Sequence, residues 1–404
     1  MKKFFVIGLG GCVVIVALLL IFSFHAQQNF GHLYVQTNDA SDKVSLIPNP
    51  PAKEFSIGSG TNIQTSVQPG HYTLQALDQN RISQMEVNIP TKGTVSVHLS
   101  INPTQSPKEI ANYSAQDLSV SGSDVEFLNS ALQQIYDYNF STGAQQTIVG
   151  DLYPVTNLLW INHGRAVAID DIGNPHLLNG QSDSVLPIIT TVTNNPAVQD
   201  FAVNTGGDFA YAQGGNVYLS VGGKIANIGQ NNSDEIRVRL ANDGTVFING
   251  INPTNPHVTT IDVGVPTQST AYFITSSGQK IPYPGTETIN EAAWSADSQT
   301  IAISTNNNLT TYNYKTNKST VVTLQGISPS GSFNWINADH LLYVNKGVVW
   351  DYDLSQNISH KLSDAPSSIN HEIPFAVSDD GSTYFSTDPS NALGGNAAIY
   401  KLVP

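Results

Sequence analysis

An all-β fold ending in a seven-bladed β-propeller is predicted by three observations. Helix-favouring residues are sparse and β-branched residues abundant in a chain of 404 residues that is 40% hydrophobic and only 12% charged, a composition that leans towards strands. A pattern of apolar anchor, polar turn and strand-forming run recurs seven times, most legibly at Trp294-Ser295-Ala296-Asp297-Ser298-Gln299-Thr300-Ile301-Ala302-Ile303. The anchors fall at Leu118, Trp160, Ala202, Arg239, Trp294, Trp335 and Ala376, and most spacings lie near the ~40 residues of a propeller blade.

The first element read along the chain is a membrane segment. Residues 4–24 carry no charge and are dominated by Val, Ile, Leu and Phe; as a helix they would rise about 30 Å, the thickness of the hydrocarbon core. Lys2 and Lys3 precede this stretch and no basic cluster follows, so the positive-inside bias predicts a cytoplasmic tip, residues 1–29 as signal-anchor, and an extracytoplasmic remainder. A cleaved signal peptide is the rival; a cut after Ala26 would put Phe24 where a small residue is wanted. Cys12, the single cysteine, lies inside this span. Leu9-Gly10-Gly11-Cys12 has the look of a lipid-attachment site, but the apolar stretch after it would leave most of a membrane helix beyond the lipid, so an ordinary small residue of the helix is favoured. The exported part then contains no disulfide and depends on its apolar cores.

Charge excludes one class of partner. The net charge is −14, with 31 Asp and Glu against 17 Lys and Arg, and no basic patch interrupts the acidic surplus, so no nucleic acid is expected to bind.

Residues 30–101 hold short alternating runs separated by Gly, Pro and Asn, the signature of a small β-sandwich. Gly31-His32-Leu33-Tyr34-Val35, Pro69-Gly70-His71-Tyr72-Thr73-Leu74 and Gly93-Thr94-Val95-Ser96-Val97-His98-Leu99 follow an order of signals that resembles the PEGA domain of bacterial surface proteins. The usual Asp-Gly turn after the second strand is replaced by Pro48-Asn49-Pro50-Pro51. The resemblance implies a surface or periplasmic interaction role and brings no catalytic residues with it. Residues 102–116, with Asn102-Pro103 and Ser106-Pro107, read as a semi-rigid linker.

From residue 117 to 404 each repeat carries further strand signals, such as Thr311-Tyr312-Asn313-Tyr314 followed by Ser319-Thr320-Val321-Val322, giving four strands per blade. The apolar-Ser-x-Asp turn with its Ile-Ala-Ile strand resembles TolB-type and WD-repeat-like propellers, an architecture that hosts binding proteins, hydrolases and lyases alike. The last repeat is one strand short, so a segment around residues 109–114 is expected to pair beside residues 397–402 and close the ring. Trp160, Trp294 and Trp335 share one register and are read as packing between blades, and Tyr138, Tyr314 and Tyr352 as strand residues.

No Gly-x-Ser-x-Gly elbow, His-Glu-x-x-His or Walker loop occurs, and no cofactor, metal or catalytic set is expected. The histidines are scattered singly, and Asp170-Asp171 and Asp379-Asp380 read as turn residues. Between Arg239 and Trp294 the spacing stretches to about 55 residues instead of ~40. Asn252, Asn255, His257 and Thr260 within that excess form the candidate binding loop, with a tolerated surface excursion as the alternative. The expected function is non-catalytic recognition or scaffolding at the cell envelope, with a surface protein or a glycan as partner; the alternative is a propeller hydrolase or lyase acting on envelope polysaccharide.

Overall fold

The structure is a computed structural model that describes residues 30–49, 53–79, 81–113, 115–129, 133–149, 154–180, 182–188, 197–231, 233, 235–251, 271–305, 308–322, 333–345, 347–364, 375–378, 382–386 and 398–403. All its regular elements are β-strands. Among the described residues no helix is long and apolar enough to cross a membrane; the expected spanning segment, residues 4–24, and Cys12 lie outside them. Two compact units divide the chain, one built mainly on residues up to Pro103 and the other mainly on those from Thr104.

The first unit is a sandwich of two sheets. One has the strand order Asn62–Val67, Gly31–Thr37, Thr94–Leu99, and the other Arg81–Ile89, Gly70–Asp78, Lys43–Pro48, Phe55–Ser59. The pleat sends alternate residues inward, so Leu33, Val35, Ile63, Val67 and Leu99 of one sheet meet Val44, Leu46, Leu74, Ala76, Val87 and Ile89 of the other in one buried core. Phe55–Ser59 is a strand that the sequence pattern does not announce, with three of its five residues exposed or nearly so at the sheet edge. Gly31 opens the central strand because a Cβ there would lie 2.4 Å from the Pro90 carbonyl oxygen, a contact no larger residue can relieve without moving backbone.

Among the described residues the second unit contains six four-stranded antiparallel sheets and one further run of four neighbouring strands, Phe333–Trp335, His340–Asn345, Val348–Asp353 and Ile358–Asp364, taken here as blades one to seven in chain order. Their first strands are Gln116–Ser121, Val155–Asn162, Val198–Val203, Glu235–Leu240, Ile289–Trp294, Phe333–Trp335 and Phe375–Val377. Each of these touches the first strand of the next blade, and Phe375–Val377 returns to Gln116–Ser121, completing a ring. All seven anchors lie on these innermost strands. Second strands such as Thr300–Thr305 and Phe209–Gln213 are buried along their whole length, because both faces are covered by neighbouring sheets, and their centres, Ile301-Ala302-Ile303 and Phe209-Ala210-Tyr211-Ala212, are unbroken apolar runs. Fourth strands such as Ser182–Val185 are exposed.

The polar turn after each anchor has a local cause. Ser298 and its counterparts Gly207 and Gly244 take positive φ of 60°, 86° and 82°, and each donates its backbone N–H to the carbonyl three residues back, at Ser295, Asn204 and Ala241. Ser295 tightens the fifth-blade turn further: its hydroxyl accepts the Thr300 N–H at 3.1 Å and lies 2.7 Å from Asp297 Oδ1.

Ring closure follows the expected route with a shift in register. The strand beside Ile399–Val403 is Ser106–Ala111, three residues earlier than residues 109–114, with Lys401 opposite Lys108 and Ile399 opposite Ala111. Residues 102–116, expected as a linker, therefore contribute a strand. Pro107 does not prevent this, since an outermost strand bonds on one side only and tolerates a missing N–H. Tyr314 also departs from expectation: it lies one residue beyond the strand Leu309–Asn313, and its hydroxyl donates to Asp243 of blade four at 3.0 Å.

Ile399, fully buried beside Ala111, Leu118 and Tyr384, tests the closure. Ile399→Ala is expected to cost about 2–5 kcal/mol in urea-induced unfolding, whereas Val321→Ser at an exposed position of blade five should fall within about 0.5 kcal/mol of wild type.

Candidate functional site

The innermost strands of blades one to six border a cavity of about 700 Å³, lined among others by Asp117, Trp160, Arg239, Glu291, Trp294 and Trp335. Its wall is built by bonds from one blade to the next. The Trp160 indole N–H of blade two donates to the Asp117 carbonyl of blade one at 2.5 Å. The Trp294 indole of blade five donates to the Arg239 carbonyl of blade four at 3.0 Å, and the Trp335 indole of blade six to the Ala293 carbonyl of blade five at 3.0 Å. The shared register of the three tryptophans thus has the packing role the sequence predicts. They differ in exposure: Trp335 is buried, while Trp160 and Trp294 are half-buried, and the Trp294 ring packs edge-on against Phe273 and Tyr314.

Arg239 occupies the anchor register of blade four with a charge. Its guanidinium reaches Asp200 of blade three at 2.9 Å and Glu291 of blade five at 2.5 Å, and donates to the Ala292 carbonyl at 3.0 Å. Asp200 also accepts the Val238 N–H at 2.7 Å. Burial still raises the Asp200 carboxyl above the ordinary range, against the lowering effect of Arg239, and the two carboxylates hold Arg239 protonated. Three consecutive blades are joined through this one side chain, whose Nε, Nη1 and Nη2 all donate within that network. Asn242 makes a parallel link, accepting from the Thr205 backbone N–H at 3.1 Å and donating to the Ala296 carbonyl at 3.3 Å.

Asp117 stands apart. It lines the cavity with a left-handed backbone, φ 50°. Among the described residues its carboxyl has no hydrogen-bond or ionic partner, and burial alone pushes its pKa up from 3.8 to about 6. Of the other acids the sequence singles out, Asp170 caps its own turn through the Ile172 and Asn174 N–H groups, and Asp379 and Asp380 lie outside the described residues. The described propeller histidines do not converge: His163 sits 3.3 Å from buried Glu126, His176 between Asp170 and Asp183, and His340 against Asp351. Among the described residues no group of three or more His, Cys, Asp and Glu is placed to hold a metal ion.

The candidate loop residues Asn252, Asn255, His257 and Thr260 lie outside the described residues. The blade-four strands Val246–Ile251 and Tyr272–Ile274 that flank them pair with each other, so the extra length is inserted between the second and third strands of a regular sheet. Sequence reasoning did not single out Asp117. Its signal is faint: an acid next to the anchor Leu118, at a register where the second and third blades carry Leu159 and Phe201.

No protein-family profile and no curated protein matches the chain. Solved structures do. A streptogramin B lyase aligns with TM-score 0.52 and 12% identity over 74% of this chain and 97% of its own. An oligogalacturonate lyase from Vibrio parahaemolyticus aligns with TM-score 0.51 and 13% identity over 84% of this chain and 98% of its own. A chain of a mitotic checkpoint complex aligns with TM-score 0.50 and 13% identity. At such identities the likeness is one of fold, and with the ring of four-stranded sheets it defines the second unit as a β-propeller.

Asp117 makes a pH signature. A carboxyl whose folded pKa lies above its unfolded value keeps, between about pH 4 and 6, a proton that the unfolded chain has released, so stability falls as pH rises through that window and is flat above it. Asp117→Asn, which tolerates the same backbone, is expected to remove this portion of the fall and to melt above wild type at pH 7.5, as read by thermal denaturation across pH 4–8.

Proposed function

We propose that the chain is a single-pass, membrane-anchored extracytoplasmic protein in which a PEGA-like module and a seven-bladed propeller serve non-catalytic recognition or scaffolding at the cell envelope, with a surface protein or a glycan as partner. The observation that carries the non-catalytic part is the division of labour in the cavity wall. The indole N–H groups, Arg239 and Asn242 are committed to holding adjacent blades together, so the cavity offers a preformed receptor surface. Catalysis by proton transfer or charge stabilisation would need several such groups turned to a substrate. The apolar N-terminal stretch behind two lysines supports the anchor, and the acidic surplus supports a partner that is not a polyanion.

A second reading rests on Asp117. A carboxyl with a pKa of about 6 in a cavity suits a general base, and two of the structurally similar proteins are lyases, which keeps a hydrolase or lyase acting on envelope polysaccharide as the alternative.

Crosslinking of the full-length protein on intact envelopes, followed by identification of the captured species, separates these readings. Recognition predicts one saturable partner recovered unmodified, and protease added to intact cells is expected to remove everything after about residue 30. Steady cleavage of envelope polysaccharide that Asp117→Asn abolishes would establish the alternative, and protection from protease would contradict the orientation.

A further inference from the structure

The charge balance of the cavity wall narrows the ligand class. Two acids, Asp117 and Glu291, and one base, Arg239, line it. The single charge of Arg239 is shared between Glu291 and Asp200, both of which it touches. That leaves the Asp117 carboxylate without a counter-charge among the described residues, at the foot of the Trp160 indole, whose N–H is bound to the Asp117 carbonyl. Asp117 is half-buried, and an ionised carboxylate partly withdrawn from water gains from a cationic partner.

We propose that this cavity binds an organic ammonium group, which the Asp117 carboxylate pairs with beside the half-buried indole of Trp160. This inference rests on the recognition reading and names its ligand chemistry. The ammonium supplies the missing cation, and indole surface adds cation–π attraction that carboxylate pairing alone lacks. A cavity of about 700 Å³ accommodates a group the size of an amino sugar or a substituted ammonium ion. A net charge of −14 attracts cations to the surface from a distance and repels anionic ligands, uronates included. Neutral sugars can stack on the same indole but leave the Asp117 carboxylate without a counter-charge.

The test uses the full-length protein in detergent and matched probes: glucosamine against N-acetylglucosamine, and tetramethylammonium against tert-butanol, titrated with tryptophan fluorescence and calorimetry at pH 7.5. The expected result is saturable binding of at least one cationic probe, at least ten-fold tighter than its neutral twin, and at least ten-fold weaker in Asp117→Asn. Which cation is preferred distinguishes an amino-sugar source from a substituted ammonium. Equal affinity for the neutral twins, an unchanged Asp117→Asn, or no binding of either cation overturns the proposal. Envelope crosslinking of Asp117→Asn runs alongside: partner capture that persists while cation binding is absent refutes the ammonium site and leaves the recognition reading intact.

Discussion

The propeller depends on a backbone ladder between the two ends of its own sequence. Ser106–Ala111 lies beside Ile399–Val403, so the seventh blade takes three strands from the C-terminus and its fourth from the segment just before the first blade. Without that pairing the outer edge of the last sheet would carry a row of unbonded N–H and C=O groups. The ends also share a core, where Ile399, Ala376 and Tyr384 pack with Leu118, Val125 and Phe127 of blade one, and Ser386 donates its hydroxyl to the Ala115 carbonyl at 2.7 Å. Because closure fixes the circumference, it also fixes the spacing of the innermost strands and hence the cavity they border.

Within the ring, the joints between blades use more than one kind of chemistry. Indole N–H bonds to a neighbouring carbonyl serve the joints at Trp160, Trp294 and Trp335. An ion network centred on Arg239 serves blades three to five, and apolar and aromatic packing of Leu159, Ile161, Phe201 and Tyr211 serves blades two and three. Directional bonds in the wall of a cavity tend to hold it in one shape. Asp117 enters these joints through its backbone carbonyl alone, and its carboxyl stays outside them.

Much of this was legible in the sequence because repetition is a strong signal. The anchors at Leu118 through Ala376 mark every innermost strand, and the run Ile301-Ala302-Ile303 marks a strand covered on both faces. The closing strand was legible as a need, since the last repeat lacks a partner, but its register was not: Ser106–Ala111 has weak alternation and contains Pro107, and only the pairing with Ile399–Val403 selects it. Phe55–Ser59 was invisible for a similar reason, being an edge strand with little buried surface. Asp117 could not be read as special because its character comes from what surrounds it. Burial without a partner is a property of three dimensions, and a single acid beside an anchor has no periodicity to betray it.

Closure is the claim from which the cavity and its chemistry descend, and amide hydrogen exchange measures it directly. The account predicts that backbone amides bonded between Ser106–Ala111 and Ile399–Val403 exchange as slowly as those of interior strands such as Thr300–Thr305, in one cooperative opening of the ring. Exchange of the two closing strands at the rate of frayed ends, while Thr300–Thr305 stays protected, would contradict it.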